Sequence, residues 1–179
     1  MKNVYLFEEG SKEMKDLLGN KGAQLCEMTK IGVPVPPGFV ISTTACREYF
    51  KRGEIWNELK DEILSALEKL EEKTRKKFGS KENPLLVSVR SGAPVSMPGM
   101  MDTILNLGID DEIVASLAKI NERFAYDTYR RFLQMFGSIV MGIDEKKFDE
   151  ILEKKKAEEG VKRDNEPVSY THLTLPTKA

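Results

Sequence analysis

Leu85-Leu86-Val87-Ser88-Val89-Arg90-Ser91-Gly92-Ala93-Pro94-Val95-Ser96-Met97-Pro98-Gly99-Met100-Met101-Asp102-Thr103 opens as a strand and breaks into a loop. Alternation in its first part puts Leu85, Val87 and Val89 on one face, with Ser88 and Arg90 on the other. The loop that follows carries two glycines, two prolines, three methionines and small hydroxyl side chains. Glycine has no Cβ, so backbone N–H groups in such a loop approach a ligand closely. Arg90 stands where the strand delivers the chain into the loop. Its planar fork of donors suits two phosphate oxygens at once. The chemistry alone leaves two readings open: an anion-binding loop best suited to phosphate, or a surface turn beside a salt-bridged arginine.

A second basic position lies upstream. Leu18-Gly19-Asn20-Lys21-Gly22 precedes an amphipathic run through Ala23, Leu25, Cys26, Met28 and Thr29, and the run stops at Ile31-Gly32. That pattern predicts a helix with a C-terminal glycine and puts Asn20-Lys21-Gly22 at its start. Orphan N–H groups and the positive end of the helix dipole attract anions there, and Lys21 adds a full charge. An exposed lysine beside a helix cap is the plainer alternative.

The remaining segments read as scaffold. Val4 to Phe7 is a short strand, and Val33-Pro34-Val35-Pro36-Pro37-Gly38 is a stiff connector into a short buried strand at Phe39-Val40-Ile41. Ser42-Thr43-Thr44 offers N-cap hydroxyls to a helix carrying Cys46, Tyr49 and Phe50. A longer helix beginning near Glu54 buries Ile55, Leu59, Ile63, Leu67 and Leu70 and ends in Lys73, Arg75, Lys76 and Lys77. Thr103 to Leu107 suits a strand. Asp110, Asp111 and Glu112 mark a helix start whose buried face holds Ile113, Leu117 and Ile120. A following helix has Ala125, Tyr129, Phe132 and Phe136 as its stripe, with Arg130 and Arg131 on a solvated face. Asp144 to Glu159 is a charge-rich surface helix with Phe148, Ile151 and Leu152 to bury.

The totals narrow the class of protein. The chain has 179 residues, 40% of them hydrophobic and 32% charged, and a net charge of −1. That is an ordinary soluble composition with no electrostatic footprint for nucleic acid. No signal peptide or membrane span is expected, and Cys26 and Cys46 have neither metal nor disulfide-framework spacing. The expected setting is cytoplasmic. From about Pro167 the composition changes: Val168 to Ala179 has one charged side chain, no helical period and the chain's one histidine, His172. Residues 167–179 read as a foreign, vector- or adaptor-like tail, so His172 receives no catalytic role.

Several motifs, in order, carry a family resemblance. Ser88-Val89-Arg90-Ser91-Gly92, followed by Ser96-Met97-Pro98-Gly99-Met100-Met101-Asp102-Thr103-Ile104-Leu105-Asn106-Leu107-Gly108, resembles the N-terminal nucleotide-binding domain of the pyruvate, phosphate dikinase family. Phe7-Glu8-Glu9-Gly10, Leu18-Gly19-Asn20-Lys21-Gly22 with the Pro-Pro-Gly-Phe connector, and Phe124-Ala125-Tyr126-Asp127-Thr128-Tyr129-Arg130-Arg131-Phe132 agree as well. The resemblance covers roughly residues 2 to 165. The Met-Pro-Gly-Met-Met-Asp-Thr string argues against the pyruvate, water dikinase relatives, which have a different loop.

The resemblance implies an α+β (mixed αβ) fold of ATP-grasp type, of which residues 1–166 form the N-terminal subdomain only. In the whole family enzyme, ATP and phosphate load a histidine on a swivelling domain of the same chain. That phosphohistidine converts pyruvate to phosphoenolpyruvate on a barrel, with AMP and pyrophosphate released. Mg²⁺ and a monovalent cation (K⁺ or NH₄⁺) assist, and a homodimer is expected at full length. Carried over by position, Lys21 and Arg90 match ATP-phosphate ligands, and Gly99, Met100 and Met101 a loop closing over the phosphates. Asp102 and Thr103 would anchor or hydrogen-bond nearby, and Arg131 would touch phosphate or a docked domain, with a structural salt bridge as the alternative. No metal ligand, phosphorylatable histidine or pyruvate barrel is recognised, so a catalytically inactive N-terminal fragment is expected. The competing expectation is a stand-alone, non-catalytic ATP- or phosphate-binding module.

Overall fold

The computed structural model describes residues 2–92 and 102–160. They form helices and two small antiparallel sheets, a mixed α+β arrangement. Two compact units divide the chain. The first contains residues 2–76 with Ser91 and Gly92, and the second residues 77–90 and 102–160.

In the first unit β1 (Val4–Leu6) pairs with β2 (Phe39–Ile41), Tyr5 lying opposite Val40. Period-two alternation splits this ribbon between two cores. Val4, Leu6 and Phe39 pack with Ala45, Leu59, Ile63 and Ala66 of two later helices and with Trp56 between those helices. Tyr5 and Val40 face Leu18, Ala23 and Cys26 of α1 (Lys15–Lys30). The strand expected at 39–41 is less buried than its apolar run suggested: Ile41 is exposed, because a two-stranded ribbon leaves its margins uncovered.

Ser42 caps α2 (Thr43–Arg52), accepting a hydrogen bond from the Ala45 N–H at 3.1 Å, and Gly53 ends the helix in left-handed geometry. The next helix, α3 (Asn57–Thr74), starts three residues after Glu54 and buries Leu59, Ala66 and Leu70. Ile55 therefore lies outside it and is exposed. Glu62 on α3 fastens β1, accepting from the backbone N–H groups of Asn3 (2.7 Å) and Val4 (2.9 Å) and from the Asn3 side chain. Burial works to raise the Glu62 carboxyl, but those donors outweigh it and hold the group below its ordinary value.

In the second unit Leu85 is buried, and β3 (Val87–Arg90) pairs with β4 (Thr103–Leu107). Val87 faces Leu107 and Val89 faces Ile104, so three residues of β4 span two of β3. This bulge coincides with Asn106 at φ 61°, a left-handed conformation that asparagine tolerates. Past the bulge the expected apolar face is not maintained, and Val89 is 46% exposed.

Asp110 caps α4 (Asp111–Ile139) by accepting from the Ile113 N–H at 2.7 Å. The helix is broken at Asn121 (φ −153°, ψ 97°), whose side chain accepts from the Phe124 N–H and starts the second segment. The two segments fold together: Ile113 and Val114 before the break share a core with Ala125, Tyr129 and Phe132 after it. Ile120 corrects the expected stripe. It is the last residue before the break and is 85% exposed, because the helical phase that would bury it ends there. Asp144 caps α5 (Glu145–Glu159), which buries Phe148 and Leu152 and leaves its charged face in solvent. The tail expected at 167–179 lies outside the described residues.

Tyr129 closes this helix pair by donating its hydroxyl to Asp111 at 2.7 Å. Burial and the neighbouring carboxylate push the phenol up to about 12. The folded state thus holds that proton more tightly than an unfolded chain, whose tyrosine titrates near ~10. The stabilisation is complete below about pH 10 and is lost as the pH rises from there to about 12. Tyr129→Phe is expected to cost about 1 kcal/mol at pH 8 and to remove this part of the alkaline sensitivity. Urea unfolding of both proteins at pH 8 and pH 11 measures it; equal losses on going to pH 11 would exclude the role.

Candidate functional site

Gly19 interrupts α1 with φ 68° and ψ 164°, a conformation open in practice only to glycine. The helix restarts behind it, so Asn20, Lys21 and Gly22 occupy its first positions, as the sequence predicted. Gly22 is small for a reason: a Cβ there would come within 3.0 Å of both Val40 methyl groups. That close approach seats the helix start on β2. Lys21 is half-buried, and among the described residues it makes no ion pair.

Arg90 ends β3 with an exposed side chain and lies opposite Thr103. Directly opposed residues of an antiparallel pair project to the same face, so the ladder brings these two predicted residues together. Asp102, exposed, precedes Thr103 at the start of β4. Gly99, Met100 and Met101 lie outside the described residues. Lys21 belongs to the first unit and Arg90, Asp102, Thr103 and Arg131 to the second.

Of the arginine pair expected on a solvated face, Arg131 is exposed and Arg130 is not. The Arg130 side chain is only 10% exposed. It donates from Nη2 to Asp127 Oδ1 at 2.8 Å and from Nη1 to Gln134 at 3.3 Å. The Arg131 side chain is 60% exposed and donates from Nε to Asp127 Oδ2 at 2.8 Å. The salt bridge weighed for Arg131 is thus present. Sequence reasoning passed over Asp127, although Asp-x-x-Arg-Arg places both arginines at i+3 and i+4 from it, the spacings that meet on a helix.

Among the described residues no group of three or more His, Cys, Asp or Glu side chains is placed to hold a metal ion. Nor is any helix among these residues long and apolar enough to cross a membrane.

The described residues form a mixed α+β protein with Lys21 at a helix start in one unit and Arg90 at a strand end in the other. Residues 15–73 and 55–138 match the family described as pyruvate phosphate dikinase, AMP/ATP-binding domain. The chain is 56% identical over 169 residues to pyruvate, phosphate dikinase of Entamoeba histolytica, covering 93% of this chain and 19% of that protein. Its identity to the Clostridium symbiosum enzyme of the same name is 53% over 166 residues, covering 91% of this chain and 19% of the relative. For the chloroplastic enzyme of Flaveria pringlei the figures are 55% over 175 residues, 92% and 18%. This chain belongs to the pyruvate phosphate dikinase AMP/ATP-binding domain family. It spans about a fifth of the length of those relatives.

Proposed function

We propose that this chain is the N-terminal portion of the ATP-grasp nucleotide-binding region of a pyruvate, phosphate dikinase. The observation that carries this is more than 50% identity across at least nine-tenths of the chain to enzymes of that name. The whole protein would use ATP and phosphate to phosphorylate a histidine outside these residues. It would then convert pyruvate to phosphoenolpyruvate, releasing AMP and pyrophosphate. Mg²⁺ and a monovalent cation, the swivelling histidine domain, a homodimeric state and a cytoplasmic setting belong to the same proposal.

Within it, each candidate residue has a proposed task. Lys21 adds its ammonium to the N–H groups exposed at the helix start behind Gly19 and holds phosphate oxygens there. Arg90 offers two parallel donors to phosphate and offsets the charge that develops on the transferred group. Gly99, Met100 and Met101 close over the phosphates with their backbone amides, while Asp102 and Thr103 anchor that loop beside Arg90. Arg131 contacts a further phosphate oxygen.

A full-length protein carrying this chain is expected to make phosphoenolpyruvate, AMP and pyrophosphate only when ATP, phosphate and pyruvate are all supplied. Following the products by ³¹P NMR tests it. Turnover without added phosphate, with orthophosphate released in place of pyrophosphate, would assign the protein to the water-dependent relatives. ATP binding with no turnover by the gene's whole product would leave a binding module.

A further inference from the structure

Exposed arginine–carboxylate pairs are usually loose, since solvent and side-chain entropy offset their attraction. The Asp127 pair is built differently. One oxygen of Asp127 is taken by Arg131 Nε at 2.8 Å and the other by Arg130 Nη2 at 2.8 Å. Arg130 is nearly buried and is also bound to Gln134. The carboxylate is therefore tied from the inside of the helix before it meets the exposed arginine. Contact through Nε leaves the Nη1 and Nη2 donors of Arg131, and among the described residues it has no other hydrogen bond or ion pair. One carboxylate is thus shared by two guanidinium groups, and that of Arg131 keeps its outer edge toward solvent.

We infer that Asp127, braced by Arg130, is a positioning residue that aims the Nη edge of Arg131 at a phosphate oxyanion. This rests on the proposed reading of Arg131 as a phosphate ligand. Asp127 itself touches no substrate; it fixes the angle at which a two-pronged donor meets two oxygens, the geometry on which such recognition depends. The oxyanion belongs either to ATP or to inorganic phosphate, and the two are separated by their own KM values.

The test uses the full-length enzyme with four variants: Asp127→Ala, Asp127→Ala with Arg130→Met, Arg131→Ala, and Asp127→Ala with Arg131→Ala. Arg130→Met removes the buried charge that loss of Asp127 would otherwise leave uncompensated, so the second variant preserves folding if the first does not. Exchange between pyruvate and phosphoenolpyruvate, which needs neither ATP nor phosphate, reports on integrity. Asp127→Ala, alone or with Arg130→Met, is expected to raise the KM for either phosphate or ATP roughly tenfold with normal exchange. Arg131→Ala is expected to raise the same KM by roughly 10²-fold. The Asp127→Ala, Arg131→Ala double variant should be no worse than Arg131→Ala, because a positioning residue has nothing left to position. Unchanged KM values in both Asp127 variants, or additive losses in the double variant, would overturn the inference while leaving Arg131 a ligand. No effect of Arg131→Ala on either KM would remove the reading beneath it, and the inference with it.

Discussion

Arg90→Ala in a full-length protein carrying this chain is expected to slow ATP- and phosphate-dependent loading of the histidine by roughly 10²- to 10³-fold. Exchange between phosphoenolpyruvate and pyruvate should be untouched. The asymmetry follows from the proposed chemistry, since the second half of the reaction never meets the triphosphate. Arg90 is an exposed strand-end residue outside the hydrophobic cluster of its unit, so its loss costs the fold little. Lysine is expected to rescue poorly, because an ammonium offers a point charge where the guanidinium offers two parallel donors. Rapid-quench measurement of phosphohistidine formation, beside isotope exchange into pyruvate, separates the two halves. Equal loss in both would mark Arg90 as structural, and loss in neither would end its role as a ligand.

Gly108→Ala is expected to have the largest effect on stability. The backbone there has φ 102°, and an added Cβ would lie 2.7 Å from Phe78 Cε2 and 3.0 Å from the Leu85 carbonyl oxygen. The Phe78 ring can turn; the Leu85 carbonyl belongs to the backbone entering β3 and yields less readily. Conformational strain of about 1–3 kcal/mol and a similar overpacking term add to roughly 2–6 kcal/mol. That is a large share of the ~5–15 kcal/mol that holds a typical domain folded. Gly79→Ala separates the two contributions, because Gly79 has φ 74° but nothing within 4 Å of its added Cβ. It should lose only the strain, about 1–2 kcal/mol. Urea unfolding of the three proteins gives the comparison; a Gly108 variant no weaker than the Gly79 variant would show that the close approach is absorbed.

Most of the scaffold was legible because its signals are local. Leu59 and Leu70 recur at helical spacing and are buried, and Ser42 and Asp110 cap where a short polar side chain precedes an apolar run. The helix start at Lys21 was legible from the amphipathic run that follows it, and the break before it falls at Gly19, whose backbone conformation other residues take reluctantly. The misplaced residues share a different cause. Ile120 continues a stripe on paper, but Asn121 resets the helical phase one residue later. Arg130 looks solvated because its charge is visible in the sequence, whereas the cover over it comes from packing. Asp127 was within reach of the i+3 and i+4 rule, but such pairs are too common on helices to single out a residue. The candidate site was read mainly through motif order, since neither Lys21 nor Arg90 is distinctive alone.

The bulge at Asn106 has a genetic consequence. With three residues of β4 spanning two of β3, Arg90 meets Thr103; an even count would set it against Ile104 instead. The hairpin therefore counts residues. Codon substitutions at Leu105 or Asn106 leave that count intact, and an in-frame deletion of either codon would take out the extra residue, so that a regular ladder still sets Arg90 against Thr103. Loss of three nucleotides there would straighten the ladder without changing Arg90's neighbour or one residue of the loop or of β3.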